Sequence, residues 1–271
     1  MTSSLIYCCC RPPVSTVMDG IAESVELSPL AVDLKWDEVC EQLTRLSIDG
    51  TLVESLEKEF AKYGHPFLHL AAEGGDSRIM NRILNCVTDS KDLYSLLDQT
   101  DKKGQNLLHA TAAKCPNSIS PLLGRLDQGL SLKLLSAYCG RSLTPILTAI
   151  NYQNPKVVKD IVDHIKLEKD LVAHLKHADQ NGQNILHCTA VRSPDCLKYI
   201  LDRLERNTRL KMLSELCNNN ETPLMAAIGC DNNKSVVQIL ESIAMPPMPR
   251  RSIQLTNYCL QLLLIPSKKH T

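Results

Sequence analysis

The chain has 271 residues, 44% of them hydrophobic and 22% charged, which suits one large domain or two small ones and excludes disorder throughout. Thirty basic and thirty acidic side chains cancel, so there is no global field to hold a polyanion such as DNA. Forty-two leucines against one Trp, seven Tyr and two Phe favour helices packed through leucine and alanine over a β-sandwich.

Residues 1–32, with Pro12, Pro13, Pro29 and many serines, read as a disordered tail. The N-terminus has no basic start leading into an apolar run, which predicts no secretory signal. It does carry Cys8, Cys9 and Cys10 in a row, and clustered terminal cysteines can be palmitoylated. The other nine of the twelve cysteines are scattered and form no C-x-x-C pair, which excludes zinc-ribbon and thioredoxin chemistry and fits a reducing, cytoplasmic setting. Residues 33–63 predict a helical cap: two helices, 36–48 and 52–62, broken at Asp49-Gly50.

From residue 64 the sequence repeats itself. Five segments share one pattern: Gly64-His-Pro-Phe-Leu-His-Leu-Ala-Ala72, Gly104-Gln-Asn-Leu-Leu-His-Ala-Thr-Ala112, Ser142-Leu-Thr-Pro-Ile-Leu-Thr-Ala-Ile150, Gly182-Gln-Asn-Ile-Leu-His-Cys-Thr-Ala190 and Asn220-Glu-Thr-Pro-Leu-Met-Ala-Ala-Ile228. The spacing of their anchors Leu68, Leu108, Ile146, Leu186 and Leu224 alternates between 40 and 38, so the true period is a pair of segments, 78 in all. Over 91–112, 12 of 22 positions recur at 169–190, which chance does not produce. Each segment reads as helix–turn–helix. Thr144 and Thr222 are placed to cap a helix that begins at Pro145 or Pro223, where no amide donor is needed. The glycines at 64, 104 and 182, with Ser142 and Asn220 in their place elsewhere, fall where a hairpin turn needs positive φ. The surplus stretches 90–100, 129–138, 168–178 and 207–216 carry leucines at helical spacing and predict short extra helices.

The segments resemble the ankyrin repeat, G-x-T-P-L-H-x-A-A followed by a second helix, over 64–245. The resemblance implies an all-α ankyrin-repeat solenoid of about five helix–turn–helix repeats of about 38–40 residues, with helical caps at both ends. It also implies that His69, His109 and His187 tie adjacent loops together by hydrogen bonds. Residues 246–271 open with Pro246-Pro247-Met248-Pro249, continue as an apolar run over 253–265, and predict a C-terminal cap and basic tail.

No catalytic signature is present: no Ser–His–Asp order, phosphate loop or H-E-x-x-H. The chain is expected to be non-enzymatic, with no cofactor, metal or small-molecule substrate. His65 and His69 have metal spacing, but His69 sits at the repeat's own histidine position. His174 and His177 read as a solvated face, and Cys188 and Cys196 as small apolar fillers. What remains for function is the surface that ankyrin stacks offer, hairpin tips and a groove. The tip candidates are Lys102, Lys103, Arg141, Asn181 and Asn219; the groove candidates are Glu73, Lys114, Tyr152, Arg192 and Asp231. Their mixed charge suits a protein partner better than direct nucleic-acid contact. The alternation of H-type and T-P-type repeats and Gln153-Asn154-Pro155 resemble the ankyrin domain of inhibitor-of-NF-κB proteins. That resemblance implies a Rel-homology transcription factor as partner and nuclear as well as cytoplasmic residence. The family's D-S-G-x-x-S signal is approached only at 19–24, without its first serine, and its acidic tail is replaced by a basic end. The alternative is an ankyrin adaptor held at a membrane by acylated Cys8, Cys9 and Cys10.

Overall fold

The computed structural model describes residues 26–244, apart from 33–34, 75–76 and 88. The described chain is all-α: it holds 17 α-helices and no strand. The tail before residue 26 and the C-terminal cap expected over 246–271 lie outside the described residues.

The helices fall into three files. The first is α1 (Leu27–Val32), α4 (Phe67–Glu73), α7 (Leu107–Lys114), α10 (Pro145–Asn151), α13 (Ile185–Arg192) and α16 (Pro223–Gly229), each packed on the next. The second is α2 (Trp36–Ile48), α5 (Ser77–Cys86), α8 (Ile119–Gly124, led in by a 3-10 turn at Pro116–Ser118), α11 (Pro155–His164), α14 (Pro194–Arg203) and α17 (Asn233–Ile243). The third is α3 (Leu52–Tyr63), α6 (Ser90–Asp98), α9 (Gln128–Ser136), α12 (Glu168–Leu175) and α15 (Arg206–Leu213). The four stretches expected to hold extra helices are α6, α9, α12 and α15.

Local chemistry explains why the elements start where they do. Asn106 accepts the amide of His109 (3.2 Å), and Asn184 accepts those of Leu186 (3.0 Å) and His187 (3.2 Å), so α7 and α13 are side-chain capped. Gly64, Gly104, Ser142, Gly182 and Asn220 all have positive φ, between 54° and 70°, and turn the chain into the first-file helices. Asp101 Oδ1 accepts the amides of Lys103 and Gln105, both at 2.8 Å. Asp179 does the same for Asn181 and Gln183 at 2.8 and 3.0 Å. Short small-residue helices such as Leu107–Lys114 let the files approach, and four of the five expected anchors are buried: Leu68, Leu108, Ile146 and Leu186 are 4% exposed or less, while Leu224 is only partly buried.

Two expectations about how the helices begin need correction. Residues 27–32, assigned to the disordered tail, form α1, with Leu27, Leu30 and Ala31 buried and the helix packed against α2 and α4. A distant carboxylate holds this helix. Glu59 on α3 accepts the amides of Leu27 and Ser28 (the latter at 2.8 Å) and the Ser28 hydroxyl. The helix pair α2 and α3 is therefore joined by α1, and the three together continue the three files at this end. Thr144 is the other correction: its Oγ1 is buried and caps no amide, whereas Thr222 Oγ1 accepts the Met225 amide at 3.3 Å. Thr144 is fully buried and Thr222 only partly, so packing rather than capping sets the Thr144 side chain.

The paired period has a structural cause. His109 Nε2 donates to the Leu143 carbonyl (2.9 Å) and His187 Nε2 to the Glu221 carbonyl (2.9 Å). Asn154 Nδ2 donates to the carbonyls of Ala112 (2.7 Å) and Ala113 (3.1 Å), and Asn232 Nδ2 to those of Ala190 (3.0 Å) and Val191 (3.2 Å). The Gly140 amide donates to Lys103 O (2.8 Å) and the Asn218 amide to Asn181 O (3.0 Å). Each clamp thus recurs one full period on and joins a histidine-type unit to the T-P unit that follows it.

Candidate protein-binding surface

The tips are built from the turns just described. Asp101 and Asp179 occupy their own carboxylates with turn amides, which leaves the neighbouring side chains pointing outward. Lys102, Lys103, Arg141, Asn181 and Asn219 are all exposed. The Gly140–Lys103 backbone bond brings Lys102, Lys103 and Arg141 to neighbouring positions, three cations on two joined turns. The Asn218–Asn181 bond does the same for Asn181 and Asn219. The tip surface therefore has a basic half and a neutral amide half.

The second group sits at the far ends of the first-file helices. Glu73, Lys114 and Arg192 are the last residues of α4, α7 and α13, and Tyr152 follows α10. All are exposed. Lys114 Nζ lies 5.6 Å from the centroid of the Tyr152 ring, a cation–π contact between adjacent units. Asp231 is exposed but does not belong with them. Its φ is 54°, matching Gln153 at 56°, so it makes the turn between α16 and α17. Asp231 is the counterpart of Gln153, one period earlier, and not of Tyr152. The sequence pattern hid this because the two turns differ in every side chain except Asn154 and Asn232.

The histidines are buried polar ties. His69 Nε2 donates to Gln105 O at 2.8 Å, in register with His109 and His187. Burial pushes the imidazole of His109 down to about 4 and lowers those of His69 and His187, so all three are neutral at pH 7. His174, expected on a solvated face, is buried: its ring nitrogens reach Asp170 O (2.9 Å), Leu132 O (3.1 Å) and Ser136 Oγ (3.0 Å). His177 Nδ1 lies 2.7 Å from the Tyr138 hydroxyl. These contacts run between α9 and α12 and their flanking turns, elements far apart in the chain whose pairing no local pattern reveals. Cys188 and Cys196 are buried, and burial pushes the Cys188 thiol up to about 12 and raises that of Cys196.

Two clefts open between second-file helices. One is walled by Leu123, Asp160, Asp163 and His164; the other by Leu201, Gln238, Glu241 and Ser242. The second set is the first shifted by one period, so the cleft is a by-product of the packing repeat and its polar lining is not retained between copies. Among the described residues no group of three or more His, Cys, Asp or Glu could hold a metal ion, and no helix is long and apolar enough to cross a membrane. No model of a known protein family and no curated protein matches the chain.

Proposed function

We infer that the chain is a non-enzymatic ankyrin-repeat module that binds a protein partner through its hairpin tips and the exposed ends of its first-file helices. The observation that carries this reading is the recurrence of one turn–helix–helix unit whose buried residues repeat while its exposed tip residues do not. Lysine, arginine and asparagine replace one another at the tips with no cost to the turns, and surfaces free of packing duties are where repeat proteins place specificity. The basic half, Lys102, Lys103 and Arg141, fits an acidic or polar patch. Alternating repeat types support the finer reading, an inhibitor-of-NF-κB-like regulator whose partner is a Rel-homology transcription factor, active in the cytoplasm and nucleus. The competing reading, a membrane adaptor acylated at Cys8, Cys9 and Cys10, rests on residues outside the described structure.

Reversing Lys102, Lys103 and Arg141 to Glu tests the surface. Exposed charges of this kind contribute ~0–1 kcal/mol to stability, so helicity and melting temperature should hold. Partner association should slow and lose its salt dependence. Unchanged affinity in the folded triple variant moves the docking site elsewhere. Affinity purification that recovers a Rel-homology protein supports the finer role. Membrane fractionation that depends on Cys8, Cys9 and Cys10 supports the adaptor.

A further inference from the structure

The last described unit leaves one side of both its helices bare. In the unit one period earlier, Leu147, Ile150 and Ile165 are 1%, 1% and 0% exposed, because α13 lies on α10 and α14 on α11. Their counterparts Met225, Ile228 and Ile243 are 50%, 48% and 37% exposed. Val236 is only partly buried where Val158 is 0% exposed. These positions repeat the pattern of an internal interface, and among the described residues no helix follows α17 to complete it.

We propose that this face is the docking site of the chain's own segment 253–265. Apart from Gln254, Thr256, Asn257 and Gln261, every residue of that segment is aliphatic, tyrosine or cysteine, and none is charged. Charges flank it only at Arg250, Arg251, Lys268 and Lys269. An uncharged apolar run and an uncharged apolar face, both otherwise left to water, complement each other. The stretch 245–252 that links them spans up to ~28 Å when extended, against interaxial distances of roughly 8–10 Å between packed helices. The tether holds the segment near the face at a millimolar effective concentration, which a second copy of the chain does not reach at micromolar concentrations. Docking would close the open end of the stack without a further repeat and independently of any partner at the tips.

Amide hydrogen exchange on the full chain tests this in both directions. Leu260→Asp with Leu263→Asp should speed exchange in 223–243 at least tenfold and leave 145–165 unchanged. Met225→Lys with Ile228→Lys, at positions already half exposed, should in turn abolish protection within 253–265. Absence of protection in 253–265 of the unmutated chain, or unchanged exchange in α16 and α17 of the first variant, overturns the proposal. So does a full-length dimer by light scattering that either pair of substitutions converts to monomer, since the occupant would then be a second copy.

Discussion

One residue position separates the three repeat histidines. Before His109 the chain has Asn106, whose amide donates to His109 Nδ1 (3.3 Å) and whose side chain caps the helix. Before His187 stands Asn184, whose side-chain oxygen accepts the amides of Leu186 (3.0 Å) and His187 (3.2 Å) and caps that helix in the same way. Before His69 stands Pro66, which has neither an amide hydrogen nor a side-chain acceptor; α4 has no side-chain cap and His69 Nδ1 is buried without a partner. Pro66→Asn should supply both. A cap contributes about 1 kcal/mol and a satisfied buried nitrogen ~0.5–1.5 kcal/mol, offset by ~0.4–1 kcal/mol of lost backbone restriction in the unfolded chain. The expected outcome is a chain more stable by about 1 kcal/mol in urea titration; a loss would show that the proline's rigidity matters more than the cap. The histidines also set the response to acid. Burial lowers the folded-state pKa of His69, His109 and His187, and that of His109 from 6.5 to about 4. The unfolded state therefore binds more protons between those values. Stability should be fully present above pH 6.5 and fall as pH drops through that window towards 4. His109→Asn, which cannot titrate, should lower the melting temperature at pH 7 and flatten its decline between pH 6.5 and 4. An equal slope in both proteins would show that His109 has no part in the acid response.

At the scale of elements, two helices with the same sequence signal begin differently. Thr222 and Pro223 form a side-chain cap followed by a first-turn proline, while Thr144 and Pro145 keep only the proline, with the hydroxyl buried and unpaired. Thr222→Ala should therefore cost about 1 kcal/mol, while Thr144→Val, which keeps the shape and deletes the unpaired hydroxyl, should be neutral or stabilising. Thermal unfolding of the two variants checks this, and equal destabilisation would restore Thr144 as a cap. The contrast marks what was legible. Anchor spacing, turn glycines and the leucines at 93, 96 and 97 announced the helices because those signals are local. The cap of α1 was not legible, since it comes from Glu59, two helices further along the chain. Leu27-Ser28-Pro29-Leu30 reads as tail until α4, which begins at Phe67, is seen packed beside it. Of the surface candidates, Lys102, Lys103 and Arg141 meet because Lys103 and Gly140 share a backbone bond. Asp231 falls out of line because its backbone, not its side chain, has a task.

For the whole molecule, the clamps divide the stack unevenly. Histidine, asparagine and backbone ties join α7–α9 to α10–α12 and recur between α13–α15 and α16–α17. Between α12 and α13 the described ties differ in kind. There the apolar contacts of α10 on α13 and α11 on α14 are supplemented by Tyr199 Oη to Asp163 (2.5 Å) and the Glu205 amide to Glu168 (3.0 Å), both bonds open to solvent. Solvent-exposed bonds compete with water and contribute less than buried ones. In a stack where each unit contacts only its neighbours, stability is a sum of unit and interface terms, so loss should spread to the nearest weak interface and stop there. Leu186→Ala probes this. Leu186 is fully buried in α13 and its truncation should cost ~2–5 kcal/mol. Because α13–α15 and α16–α17 are clamped to each other, amides from 185 to 243 should lose protection together. Those of α7 to α12 should keep most of theirs, with the boundary near residues 176–184. Loss that runs evenly from α4 to α17 would mean a single cooperative core rather than a stack of paired units. Loss confined to α13–α15 would mean that the clamps at His187 and Asn232 add little to the apolar contacts they accompany.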